Sequence, residues 1–194
     1  MMPRSSGSPD IKHVLLEERL IGYLDPGAEK FLKPINEGGL TTTSSCTGRI
    51  TIIDGKWHWL RDRSRIVFKT HTEISPVDLA YALAGPYDDL WLKVTGPIVH
   101  VKAPSLDCAA KALQAARDAG FKHSGAISLG EEVVLELTSA VQITVPLKRE
   151  GVIVVNPTSI YVLARTANEA LRDGWRRLER LSGLLPQLGC QQGS

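Results

Sequence analysis

The sequence predicts a single mixed α+β domain that is not built on a nucleotide-binding doubly wound sheet. Three observations point there. Strand-like apolar runs come in neighbouring pairs and are interleaved irregularly with helical stretches, whereas a doubly wound sheet alternates the two regularly. No Gly-x-Gly-x-x-Gly follows an early strand and opens a helix, and no Gly-x-x-x-x-Gly-Lys-Ser/Thr occurs. The chain closes on a long amphipathic stretch from Thr158 to about Leu185, ended by Pro186 and a Gly/Gln tail. We expect the domain to span 11–186, between a disordered leader (1–10) and a flexible tail (187–194).

The elements follow in order. Ile11, Val14, Leu15 and Leu20 recur among charges and predict an amphipathic helix over Ile11 to Ile21. Tyr23-Leu24-Asp25-Pro26-Gly27 breaks it, and Ala28 to Ile35 forms a short second helix that Pro34 should end early. Ile50 to Ile53 is a buried strand closed by the hairpin signal Asp54-Gly55, with Ile66 to Lys69 as its partner. Ser75 caps a helix that opens on Pro76, carries Asp78 three residues on, and stops at Ala84-Gly85-Pro86. Leu90 to Thr95 and Ile98 to Lys102 are strands parted by Gly96-Pro97. Ser105 to Ala119 is an alanine-rich helix ended by Gly120. Gly125 to Leu129, Val133 to Leu137, Val141 to Leu147 and Val152 to Val155 are the remaining strands.

A chain of 194 residues can bury a real core, and its formal charge of +2 provides no global field for nucleic acid, so any such signal must be local. No run reaches membrane-spanning length, and Met1-Met2-Pro3-Arg4-Ser5-Ser6-Gly7 has no signal-peptide core. Cys46, Cys108 and Cys190 are odd in number and widely spaced, which predicts a reducing cytoplasm and no disulfide framework.

The stretch Thr41-Thr42-Thr43-Ser44-Ser45-Cys46-Thr47-Gly48-Arg49 stands out. Hydroxyls, a thiol, a glycine and an arginine gather where a sheet begins, which is poor core material. Gly48 lets a ligand approach the backbone, and Arg49 can grip an anion with two parallel hydrogen bonds. An ornate turn whose hydroxyls satisfy local backbone groups explains the same residues.

The string Thr-Thr-Ser-Ser-Cys-Thr-Gly-Arg before an Asp-Gly pair resembles the signature of the wybutosine-synthesis tRNA methyltransferases. The likeness continues through Thr70-His71, Val99-His100-Val101, Ala119-Gly120-Phe121, Ser124-Gly125 and Val145-Pro146-Leu147, in the same order over roughly residues 12 to 182. Thr47 stands where the pattern often has Ser and keeps the hydroxyl; His123 stands where an Asn commonly precedes the Ser-Gly pair. The resemblance implies methyl transfer from S-adenosylmethionine to N4 of the tricyclic guanosine derivative 3′ of the anticodon in phenylalanine tRNA, on a scaffold other than Rossmann. It assigns Ser44, Ser45, Cys46, Thr47, Gly48 and Arg49, with Ser124 and Gly125, to the substrate and cofactor pocket. His71 becomes the first candidate for proton handling or base orientation, with Asp54 at the turn tip as a second catalytic candidate.

Lys56-Trp57-His58-Trp59-Leu60-Arg61-Asp62-Arg63-Ser64-Arg65 interleaves cations with tryptophans. Arginines contact phosphates and exposed aromatics stack on unpaired bases, so Lys56, Trp57, Trp59, Arg61, Arg63 and Arg65 are the expected RNA contacts. Strand alternation would put both tryptophans on one face. The last helix carries Arg165, Arg172, Arg176, Arg177 and Arg180 offset by acids, either a solvated face or a phosphate track. Cys46, His58, His71 and Cys108 lack paired zinc-ligand spacing, so no metal is expected. Two rivals to a methyltransferase are a non-catalytic RNA-binding module on the basic Trp segment and a small hydrolase using Cys46 with His71 as base.

Overall fold

The structure is a computed structural model that describes residues 25, 27–130 and 132–190. The helix expected over Ile11 to Ile21 and the leader lie outside the described residues. The described residues form four α-helices and nine strands: α1 (Glu29–Glu37), β1 (Thr41–Cys46), β2 (Arg49–Asp54), β3 (Arg65–Thr70), α2 (Pro76–Ala84), β4 (Leu90–Thr95), β5 (Ile98–Ala103), α3 (Leu106–Asp118), β6 (Gly125–Leu129), β7 (Val133–Thr138), β8 (Gln142–Arg149), β9 (Val152–Ile153) and α4 (Ile160–Leu184). The strands form two antiparallel sheets, in order β1-β5-β7-β6 and β3-β2-β4-β8-β9. The expected α+β architecture and long final helix are both present.

Each sheet buries one face under helices. The four-stranded sheet packs Val99, Val101, Leu135 and Leu137 against α1, α3 and the end of α4. The five-stranded sheet packs Ile50, Ile52, Leu92 and Leu147 against α2 and the start of α4. The 25 residues of α4 span about 37 Å at 1.5 Å per residue, enough to reach both cores. Its buried stripe gives Ala164, Ala167 and Leu171 to one core and Leu178 and Leu181 to the other. Gly174 sits between them, where an added Cβ would meet Pro97 at 2.7 Å, so only glycine lets the helix cross the turn between β4 and β5. Asn168 fastens the helix to the end of the other layer, donating to Ile74 O at 2.8 Å and accepting from Ile74 N–H at 2.9 Å.

Ser75 caps α2 through a full capping box: its N–H and hydroxyl both donate to the Asp78 carboxylate, and its Oγ accepts from Asp78 N–H. These bonds hold the Asp78 carboxyl below the ordinary range.

Several expectations need correction. Pro34 does not end α1, which runs through it to Glu37. The bond it forgoes would go to the carbonyl of exposed Lys30, while buried Phe31, Leu32 and Ile35 hold the helix down. Asp54-Gly55 is not a tight hairpin turn. Gly55 N–H donates to Asp89 O and its carbonyl accepts from Trp91 Nε1, so the chain leaves the ladder and returns only at Arg65. Residues 55–64 are turns, and strand alternation does not apply to the tryptophans there. Cys108 and Cys190 form a disulfide, with Cα atoms 5.6 Å apart. They are 82 residues apart in sequence, and only the packing of the C-terminal 3-10 turn (Leu185–Leu188) on α1 and α3 brings them together. The cysteine count therefore no longer argues for a reducing compartment.

Candidate active site

The signature is a strand, a joint and a second strand, and it passes from one sheet to the other. Thr41–Cys46 forms the edge strand β1 of the four-stranded sheet, and Arg49 opens β2 in the five-stranded sheet. Thr47 and buried Gly48 make the joint. Gly48 has φ +100, and a Cβ there would lie 3.1 Å from Thr95 O and 3.3 Å from Leu171 Cδ1. Both the backbone and the close packing call for glycine.

Asp25 and His71 lock this joint. Thr47 donates to Asp25 Oδ2 from its N–H at 2.7 Å and from its hydroxyl at 3.3 Å. His71 Nδ1 lies 2.8 Å from Gly48 O, 3.2 Å from Asp25 Oδ2 and 3.9 Å from Cys46 Sγ. A carbonyl can only accept, so Nδ1 carries the hydrogen and donates it to Gly48. Burial pushes the Cys46 thiol above its ordinary value, and the Asp25 carboxylate adds to the rise. That is the reverse of what a cysteine nucleophile needs. Asp25, Cys46 and His71 hold their ligand-type atoms within 4.8 Å of one another. A cation there would have to displace the bond to Gly48 and ionise a thiol that burial keeps neutral.

Beside the joint is a cavity of about 200 Å³ lined by Gly27, Lys30, Phe31, Thr47, Thr72 and Trp175, with His71 at its wall.

The outer face of β1 carries a second group. Ser44 stands opposite His100 on β5, and His100 opposite Glu136 on β7. Ser44 Oγ is 2.8 Å from His100 Nδ1, and His100 Nε2 is 2.8 Å from Glu136 Oε2. Gly125 stands opposite Glu136 at the end of the row. Ser124 is spent locally: its hydroxyl donates to Phe121 O at 2.7 Å and accepts from Thr138 N–H at 3.1 Å. Ser45 stands opposite buried Val99, towards the core.

Arg49 and Asp54 part company with the rest. Arg49 lines a groove of about 390 Å³ on the five-stranded sheet with Thr51, His58, Arg61, Lys93 and Thr95. Asp54 lies at the other end of β2, roughly 16 Å along a strand of this length, paired with Arg65 at 3.2 Å.

The basic segment is an aromatic cluster. Trp57 and Trp59 stack at 4.8 Å and 25°, with Trp59 56% exposed. His58 meets Trp59 and Trp91 edge-on, and the Arg149 guanidinium lies over Trp57 and Trp91 at 4.9 and 5.0 Å. Burial lowers the His58 value and Lys93 adds to it. In the last helix Arg165, Arg172, Arg176 and Arg177 all find carboxylates. Arg180 does not among the described residues, and with Arg117 and Lys122 it rims a second basic hollow of about 390 Å³.

Sequence reasoning missed Asp25, Glu136, Trp91 and Arg149. Asp25 read as part of a helix-breaking turn. Glu136 is a lone carboxylate in an alternating strand, and its partner is set by sheet register rather than by spacing.

Comparison with known proteins settles the class. The chain is an enzyme of the methyltransferase class, on a two-sheet scaffold without the Rossmann glycine loop. It belongs to the family described as "Methyltransferase TYW3", whose model matches residues 9–187. It is 46% identical over 181 residues, 92% of this chain and 96% of the other, to an Aeropyrum pernix protein named "tRNA(Phe) 7-((3-amino-3-carboxypropyl)-4-demethylwyosine(37)-N(4))-methyltransferase". A Saccharolobus solfataricus protein of the same name is 36% identical, over 88% of this chain and 84% of its own. Among solved structures, a hypothetical protein from Aeropyrum pernix superposes with a TM-score of 0.79 at 42% identity, covering 84% of this chain and 98% of that one. A Pyrococcus horikoshii protein gives 0.81 at 28%, covering 90% and 91%. Family membership sides with the enzyme against both the non-catalytic RNA module and the cysteine hydrolase.

Proposed function

We propose that the protein methylates N4 of the 7-aminocarboxypropyl-demethylwyosine beside the anticodon of phenylalanine tRNA, with S-adenosylmethionine as donor, in the cytoplasm and without a metal. One observation carries this reading: the family match over 9–187 contains the whole site from Asp25 to Glu136, and the relatives so named cover nearly the full chain.

The residues fit the cofactor. Phe31 and Trp175 offer apolar faces for a flat ring, Thr47 and Thr72 offer hydroxyls for a ribose, and Lys30 offers a cation for a carboxylate. The cavity takes one part of such a ligand and its mouth leaves room for the rest. S-adenosylmethionine supplies a methyl group activated by its sulfonium. The chain's own residues hold the joint rigid, so that donor and acceptor meet in attack geometry. His71, fixed by Gly48 and Asp25, presents Nε2 for orienting the base or handling its proton. Of the residues assigned to substrate and cofactor, Thr47 lines the cavity, and Ser44, Ser45, Cys46 and Gly48 lead up to it along the signature. Arg49 serves from the groove on the five-stranded sheet, and Ser124 and Gly125 from the far end of the outer row; Asp54 is the second catalytic candidate. Lys56, Trp57, Trp59, Arg61, Arg63 and Arg65 contact the RNA; the exposed Trp57–Trp59 stack supports base stacking.

The test is calorimetry with S-adenosylmethionine on chelator-treated protein, followed by mass analysis of precursor tRNA incubated with both. One-site binding and a gain of one methyl group are expected. No heat at millimolar cofactor and no mass gain would sink the reading.

A further inference from the structure

We propose that Ser44, His100 and Glu136 form a proton relay that takes the proton displaced from the target nitrogen, an inference that rests on the methyltransferase reading above. Loss of that proton needs an acceptor. An ionised carboxylate can only accept, so His100 must carry its hydrogen on Nε2, towards Glu136 at 2.8 Å. Nδ1 is then a bare lone pair, and the Ser44 hydroxyl 2.8 Å away donates to it. The order hydroxyl, imidazole, carboxylate is the one by which enzymes make a hydroxyl oxygen basic.

The row is built by a local irregularity. The register of β1 on β5 shifts between Thr42 and Ser44, so Thr43 is an extra residue. Without that bulge Thr43 would face His100 and Ser44 would face buried Val99. The bulge therefore puts Ser44 on the outer face, and Cys46 with it, next to His71. The row is also open. Ser44 is exposed, and the His100 and Glu136 side chains are 28% and 42% exposed. Gly125 leaves the Glu136 end bare: a Cβ there would meet nothing within 4 Å, and its φ is not positive, so neither packing nor backbone requires a glycine.

In the step, the nitrogen–methyl bond forms as the donor's sulfur–methyl bond breaks. The nitrogen's proton passes to Ser44 Oγ as the Ser44 hydroxyl proton passes to His100 Nδ1, and Glu136 faces the resulting imidazolium. The electron pair of the broken bond stays on sulfur, and one proton leaves the substrate. Ser44 touches the substrate; His100 and Glu136 act through it as positioning residues. The side chain of His71 is only 13% exposed, at the wall of the small cavity, which leaves it the orienting role.

Single-turnover methylation of precursor tRNA at saturating cofactor, with Ser44→Ala, Ser44→Thr, His100→Asn and Glu136→Gln, tests this. Ser44→Ala and His100→Asn should lose on the order of 100-fold in kcat, well beyond any change in cofactor or tRNA affinity. Ser44→Thr, which keeps a hydroxyl, should recover most of it. Long-range nitrogen NMR of the free protein should show neutral His100 with its hydrogen on Nε2, a preference that Glu136→Gln weakens. Wild-type kcat in Ser44→Ala, or the hydrogen on Nδ1, overturns the relay alone. A wild-type protein that leaves the tRNA unmethylated overturns the functional reading, and the relay with it.

Discussion

His71 and Gly48 are joined by a 2.8 Å hydrogen bond that ties the end of β3 to the joint where the signature passes between sheets. The imidazole is the donor, so the carbonyl of a residue that must be glycine is held by a side chain 23 residues away.

Breaking either side of this bond should loosen the joint. His71→Ala leaves Gly48 O without its side-chain donor and takes one partner from the Asp25 carboxylate, to which Thr47 still donates. It should cost about 1–3 kcal/mol in urea unfolding. Gly48→Ala forces a Cβ onto Thr95 O at positive φ and should cost more than about 1 kcal/mol. An unchanged midpoint for Gly48→Ala would show that the joint is compliant.

Cys46 should react slowly with iodoacetamide. Burial and the nearby Asp25 carboxylate raise its pKa, so the thiolate is scarcer near neutral pH than in an unstructured peptide. Mass analysis over time should show slower modification than that of a model peptide, rising only at alkaline pH. A rate at or above the peptide's would restore the case for a nucleophile.

Acid should weaken the aromatic cluster through His58. Its folded value lies below its unfolded one, so the folded protein binds fewer protons between the two. Its contribution is complete above about pH 6.5 and is lost as pH falls through the lowered value. Urea midpoints across that range should drop towards acid, and His58→Gln should flatten the drop. Equal slopes in both proteins would free His58 of the effect.

Replacing Arg61, Arg63 and Arg65 together with Gln should weaken tRNA binding and leave cofactor titration untouched. Each lost phosphate contact should flatten the log–log salt slope by about 0.7–0.9. If affinity and slope stay at wild type, the hollow of Arg117, Lys122 and Arg180 is the next place to look.

Reducing the Cys108–Cys190 bond should lower the melting temperature. In the chain-entropy view, a cross-link of this span is worth about 4–5 kcal/mol. Calorimetry with and without a phosphine reductant measures it, and Cys108→Ala should match the reduced protein. An unchanged transition would mean that the C-terminal turn is held by packing alone.

Much of this molecule can be read along the chain because it depends on neighbours in sequence. The Ser75 capping box, the Ser105 cap and the Gly120 stop are local hydrogen-bond and backbone chemistry. The strands Leu90–Thr95, Ile98–Ala103 and Val133–Thr138 declare themselves by alternation, and the signature by its unsuitability for a core. What the chain could not show is which strand pairs with which. Leu90–Thr95 and Ile98–Ala103 look like a hairpin but belong to different sheets. The signature reads as one loop, yet its side chains go to two sheet faces and a joint. Ser44 finds His100, and His100 finds Glu136, only through register and a bulge. Asp25 reaches Thr47, and Cys108 reaches Cys190, only once the helices are packed. Local chemistry needs a few residues, whereas pairing and burial are set by the whole fold's closure, and the site is made of the latter.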